Sequence, residues 1–246
     1  IFDKGAAMAK MPYDQIGAKV SSISFSTFSR IKDDKPELSY YFKRLYVVVT
    51  LVCFPVYMGL HAISEEFTLV LLGAKWADMI PVMSLMSLSF LLYSICSLFA
   101  SFNMAVGNIK HMVLGRAVLT IGFILALLIV AEKGIEAVAL AIIVHNICLL
   151  IFAVWLANRY VHISIKTLIK LTLPPFFAAS LMYTSIEVFK QLTVHFSQDL
   201  HLVVGIVIGV VVYTSCLFAL PFKSWGFIRK AIKGKLPKSL SLLIAK

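Results

Sequence analysis

Charge is scarce in this sequence. Lys, Arg, Asp and Glu make up 14% of its 246 residues, and the acids are the rarer sign, 12 against 23 basic residues. Soluble domains carry about 25% charged residues, so an ordinary water-facing surface is excluded. Cysteine is sparse too. Cys53, Cys96, Cys148 and Cys216 all lie inside apolar runs without CxxC spacing, which argues against a disulfide framework or a thiolate metal site. Nothing matches a Walker A loop, GxGxxG, HExxH or GxSxG, so neither ATP hydrolysis nor the usual metal or serine hydrolysis is indicated. The acids expected on the outer side are few: Glu65, Glu66, Asp78, Glu132, Glu136 and Asp199, with Asp3 near the start. They form no DxD-like pair in a loop of catalytic size, which argues against a membrane glycosyltransferase or polymerase. The sequence therefore reads as a protein without catalytic residues, cofactor or metal.

What is present is apolar length. Hydrophobic residues reach 60% and the mean hydropathy is +0.92. Crossing the hydrocarbon takes about 20 apolar residues, and seven runs qualify, near 6–29, 42–63, 79–106, 112–131, 135–157, 168–189 and 202–222. The breaks between them are short and hold the Gly, Pro and charges that interrupt such runs. The expectation is an all-α, polytopic membrane protein with about seven transmembrane helices. The net charge of +11 would suggest nucleic acid in a soluble chain. Here the basic residues cluster between apolar runs, so cytoplasmic loops and anionic membrane lipids are their partners and nucleic acid is not.

Orientation follows from those clusters. Segments 30–44, 107–116, 158–170 and the tail from 223 hold 5, 2, 3 and 7 basic residues, whereas the alternate breaks hold only Lys75, Lys133 and Lys190. Under the positive-inside rule the C-terminus is cytoplasmic and Ile1 lies outside. Trp76 on the outer side, with Trp155 and Trp225 on the inner, fits the two interfacial aromatic belts. The sequence begins without Met or a signal-peptide pattern, and its first span runs inward, so the expectation is a chain truncated at its N-terminus.

The first run is unusual, for "MAKMPYDQIGAKV" contains Lys10, Asp14 and Lys19. A charge at the bilayer centre costs about 2.5–3.5 kcal/mol on insertion scales, so this helix must face protein or water. On a regular helical wheel with Lys10 at 0°, Asp14 falls at about 40°, Gly17 at about 340°, Ser21 at about 20° and Ser24 at about 320°. A second stripe of Gln15, Lys19, Ser22 and Ser26 falls between about 120° and 180°, leaving Ala9, Tyr13, Ile16, Val20, Ile23 and Thr27 as the lipid stripe. Pro12 can shift this register by a kink. Two readings fit: a helix lining a hydrated translocation cavity, or a Lys10–Asp14 pair that packs against other helices.

Other polar positions are weaker signals. His145 and Asn146 sit mid-span in "AIIVHNICLL" and point to an interhelical hydrogen bond more than to a proton relay. Ser84, Ser87, Ser89, Ser94, Ser97, Ser101 and Asn103 in the third span point to close helix packing with some cavity exposure, and "GIVIG" at 205–209 is a GxxxG packing signal. Arg116 opens the fourth span on the inner side, as a positive-inside anchor or a contact for a headgroup or substrate phosphate.

Two longer stretches carry a resemblance. "VSSISFSTFSRIKDDKPELSYYFKRLYVVVTLVCFPVYMGL" and "FTLVLLGAKWADMIPVMSLMSL" resemble the polysaccharide-transporter (Wzx-type) branch of the multidrug/oligosaccharidyl-lipid/polysaccharide exporter superfamily. The matching positions are Phe28, Ser29, Arg30, Ile31, Asp33 and Asp34, then Pro55, then Leu71, Leu72, Gly73, Lys75 and Trp76. Ser26 and Thr27 stand where that family often has Pro, and Ala74 replaces an acidic residue. "GIEAVALA" at 134–141 is similar to the entry of a later helix in the family, with Glu136 and Ala137 at the second Gly position.

The resemblance implies a two-lobe transporter of roughly twelve to fourteen helices working by alternating access. Residues 1–160 would supply C-terminal-lobe helices, 161–222 two final helices and 223–246 a basic cytoplasmic tail. The implied substrate is an undecaprenyl-pyrophosphate-linked oligosaccharide of surface polysaccharide, moved across a bacterial inner membrane. The implied partners are that lipid-linked substrate, membrane lipids and a missing N-terminal half of the same protein. Substrate-cavity candidates are Lys10, Asp14, Lys19, Ser21, Ser24 and Arg116. A cation-coupled small-molecule antiporter of the superfamily and a membrane enzyme of polysaccharide assembly remain as alternatives.

Overall fold

The structure is a computed structural model that describes residues 1–161 and 163–219. Its described residues are helical throughout, without a strand: α1 (Phe2–Pro12), α2 (Ala18–Ile31), α3 (Lys35–Ala62), α4 (Ser64–Leu71), α5 (Ile80–Ala105), α6 (Ile109–Val130), α7 (Ile135–Asn158), α8 (Ile165–Leu192) and α9 (Gln198–Ala219). A π turn, Tyr13–Gly17, joins α1 to α2 without a break, so the first expected span is one continuous helical body. Among the described residues six helices are long and apolar enough to cross a membrane; the α1–α2 body is not one of them, its charges lowering its hydropathy. The last three residues of the run expected at 202–222, Trp225 and the basic segment 223–246 lie outside the described residues.

The family-like positions are largely devices for reversing the chain. Asp34 caps α3, its carboxylate accepting a hydrogen bond from the Glu37 amide at 2.9 Å, and Pro36 follows in the first turn, where a missing N–H costs nothing. Gly73 has φ 88° and ψ 163°, a conformation essentially reserved for glycine, and it turns α4 into the 3₁₀ segment Ala74–Met79. Trp76 in that segment lies under the ammonium of Lys4, 4.1 Å from its ring centroid, and so ties the motif to the start of α1. Phe28 is fully buried and meets the rings of Phe42 and Phe102 at 5.9 and 5.5 Å.

α5 is the central helix and packs on α1, α2, α3 and α7. Its serines are mostly buried and return their hydroxyls to their own helix: Ser87 to the Met83 carbonyl, Ser94 to Phe90 and Ser101 to Ser97. They are short side chains that let neighbours approach, with their polar atoms satisfied locally. Two asparagines pin α5 to α7. Asn146 donates to the Ser89 hydroxyl at 2.8 Å, and Asn103 to the Ala153 carbonyl at 3.0 Å. The interhelical bond expected of Asn146 is therefore present, while His145 stacks on Phe123 of α6 with ring centroids 4.5 Å apart. Asn146→Leu is expected to lower stability by about 0.6–1.7 kcal/mol, from the mean to the maximum found for such bonds between membrane helices, and unfolding in detergent measures it.

α8 and α9 close the other side of α3, with Gly205 and Gly209 of the GxxxG segment buried against Ile186 and Met182. α6 is peripheral: Val118 is 69% and Leu128 71% exposed, the signature of a helix bathed in lipid. The bond that sequence alone did not suggest lies at one end of the bundle. Lys190 of α8 reaches Glu66 of α4 at 2.8 Å and the Ala62 carbonyl at 2.9 Å, with Glu66 only 3% exposed.

Candidate substrate-facing surface

The π turn decides what the first helical body shows to its surroundings. A π turn inserts one residue into an α-helix, so every later side chain is set back by about 100°. Lys19, Ser22 and Ser26 then move from about 180°, 120° and 160° to about 80°, 20° and 60°, onto the face of Lys10 and Asp14. The same rotation carries Ser21 and Ser24 off that face, to about 280° and 220°, beside Ala9 at about 260°. Burial agrees throughout: Lys10, Asp14, Gln15, Lys19, Ser22 and Ser26 are exposed, Ser21 is half-buried, and Ala9 and Ser24 are fully buried. The two polar stripes of the regular wheel are one face.

That result revises the sequence reading in two places. Ser24 faces the bundle, with its hydroxyl donating to the Val20 carbonyl at 2.6 Å, and Ser21 pairs with Ser101 of α5. The stripe assigned to lipid divides as well. Ala9 packs with Val82 and Met86 of α5, Tyr13 sets its ring edge-on against Tyr93 at 4.8 Å, and only Ile16 and Ile23 of that stripe are exposed. The Tyr13 ring also folds across Gly17, where a Cβ would come 2.5 Å from it, so a side chain at 17 would displace the ring that seats the turn on α5.

On the exposed face, Lys10 Nζ and Asp14 Oδ1 are 3.3 Å apart, one turn from each other, and each side chain is about half exposed, 49% and 50%. The pair is not buried within the described residues. An exposed pair of this kind holds its partners loosely, leaving the ammonium free to exchange Asp14 for another anion. Lys19 extends the same face. Arg116 lies elsewhere: it is in α6, which packs on α7, with Cys96 and His145 as its electrostatic neighbours. The structure thus gathers Lys10, Asp14 and Lys19 on one surface and separates Ser24 and Arg116 from it. Among the described residues no three His, Cys, Asp or Glu side chains come together as a metal site.

Residues 1–81, a segment including the whole polar face, match the family model described as "Polysaccharide biosynthesis protein". The chain is similar to proteins of polysaccharide biosynthesis and transport. It is 32% identical over 98 residues to the lipopolysaccharide biosynthesis protein WzxC of Escherichia coli (strain K12), covering 40% of this chain and 20% of that protein. It is 29% identical over 214 residues to the succinoglycan biosynthesis transport protein ExoT of Rhizobium meliloti (strain 1021), covering 84% of this chain and 42% of that one. Its fold matches a solved structure of the lipid II flippase MurJ in an inward closed conformation. The TM-score is 0.73 at 18% identity, over 94% of this chain and 47% of that one. The matched region is less than half the length of each of these relatives.

Proposed function

We propose that this chain forms one lobe of a flippase for a lipid-linked oligosaccharide, of the undecaprenyl-pyrophosphate class that serves surface polysaccharide. The observation behind this reading is the continuous exposed polar face of α1–α2, set among helices otherwise apolar enough for lipid. A lipid-facing surface would not keep Lys10, Asp14 and Lys19 together, since polar groups in membranes gather on protein or water-filled paths. The opposite wall of the path is assigned to a further segment of the same protein, in keeping with relatives more than twice as long as the matched region. The distribution of basic residues among the loops supports an orientation with the end of α9 on the cytoplasmic side of a bacterial inner membrane. The protein acts as a transporter and catalyses no bond change.

Deleting the gene in its host is expected to strand the lipid-linked oligosaccharide on the cytoplasmic leaflet and strip polysaccharide from the cell surface. Leaflet-specific labelling of the lipid-linked sugar measures this. Its undiminished arrival at the outer leaflet would overturn the reading. Sensitivity to cationic dyes with normal polysaccharide would point to an antiporter instead.

A further inference from the structure

A second feature of the bundle lies away from the polar face. Where α7 and α8 diverge over α3 and α5, they leave a groove of about 660 Å³. Its floor is deep and apolar, with Phe99 1%, Ile95 5% and Phe54 6% exposed. Its rims, among them Trp155 on α7 and Ile165 and Phe176 on α8, are about half exposed or more. Three polar groups on its lining already have partners within the protein. Tyr46 and Thr172 share a 2.7 Å hydrogen bond, Thr172 also donates to the Leu168 carbonyl, and Asn158 accepts from the Ile163 amide. The lining is otherwise apolar, and hydrocarbon fits it best.

Length and charge narrow the occupant. From Ile165 to Phe176 the α8 rim rises about 16 Å, half of the ~30 Å hydrocarbon thickness and so the depth of one leaflet. The mouth lies at the basic end of the bundle. There the Arg159 guanidinium sits 4.4 Å from the ring centroid of Trp155, and the exposed Lys166 is the next residue after Ile165 of the α8 rim. Tyr160 ties this end to the α2–α3 turn by donating to the Lys32 carbonyl at 3.1 Å. Segment 159–170 contains no acid.

We infer that the groove is a binding site for an anionic glycerophospholipid, one acyl chain lying along α8 and the phosphate resting between Arg159 and Lys166. The lipid fills the space that α7 and α8 leave open and holds their separation at the basic end. This site is independent of the proposed transport path, and its test involves no transport.

The test uses the full chain with Trp76→Phe and Trp225→Phe, so that Trp155 is its sole tryptophan. The protein is placed in vesicles of phosphatidylcholine and phosphatidylglycerol in equal parts, with acyl-chain bromine on one lipid or the other. Quenching of Trp155 then reports which lipid lies beside it. Phosphatidylglycerol is expected to be preferred roughly five- to thirtyfold, as two interfacial cations provide. Arg159→Gln with Lys166→Gln, both exposed positions, should bring the ratio to about one. Filling the groove with Ile169→Phe and Leu173→Phe should lower the preference while leaving both cations in place. Equal quenching by the two lipids in the parent would overturn the site, as would an undiminished preference in either variant. Helicity by circular dichroism confirms that each variant compared is folded.

Discussion

Lys10→Ala, made in the full-length protein, is expected under the proposed function to cut polysaccharide export about 10- to 100-fold while leaving protein abundance near normal. The size follows from losing one charge-assisted contact to a phosphate, about 1.5–3 kcal/mol, when each ~1.4 kcal/mol is a factor of ten. The normal abundance follows from geometry. Lys10 and Asp14 are half exposed on the outer face of the helix, and exposed pairs contribute at most about 1 kcal/mol to stability. Lys10→Arg should retain part of the activity, because the charge survives while the planar fork replaces a compact ammonium. The informative control is Lys10→Met with Asp14→Leu, measured by surface polysaccharide and membrane protein level together. If that double variant exports normally, these residues pack and do not serve the path.

The second large effect falls on stability. Lys190→Met should destabilise the bundle by about 3–5 kcal/mol, because it leaves the Glu66 carboxylate enclosed without its cation. The reverse change, Glu66→Leu, should cost less. Lys190 is 18% exposed, donates to the Ala62 carbonyl and has Glu187 at 3.8 Å, so its ammonium keeps partners. Combining Lys190→Met with Glu66→Leu is expected to recover most of the loss, since two apolar side chains replace a pair that no longer needs compensation. Detergent-solubilised protein unfolded by heat or denaturant supplies the comparison. A Lys190→Met variant as stable as the parent would show that the pair contributes nothing to holding α4 against α8.

The difference between these two residue pairs explains how much the sequence reveals. Helix positions were readable because each apolar run ends at a device with local chemistry, such as Asp34 capping α3 or Gly73 turning at φ 88°. Asn146 was readable as a hydrogen-bonding residue by its type and depth, though its partner Ser89 lies on another helix and leaves no mark nearby. Lys10 and Asp14 were readable as a pair because they are one turn apart. Glu66 and Lys190 were not, since the fold alone brings α4 to α8, and α4 itself looked like part of a loop. The face of the first helix was misread for a different reason: Pro12 marked a disturbance, but a π turn cannot be told from a kink by periodicity.

The same turn bears on how this chain should be aligned with its relatives. A relative whose first helix is regular reaches the same surface with one residue fewer, so its counterparts of Lys19, Ser22 and Ser26 come one position earlier. An alignment without a one-residue gap between 13 and 17 would then set wall residues against the seam that packs on α5. Percent identity would hardly change, yet charge conservation along the wall would be scored against the wrong column. Gap placement in this short stretch thus decides whether shared cations are seen at all.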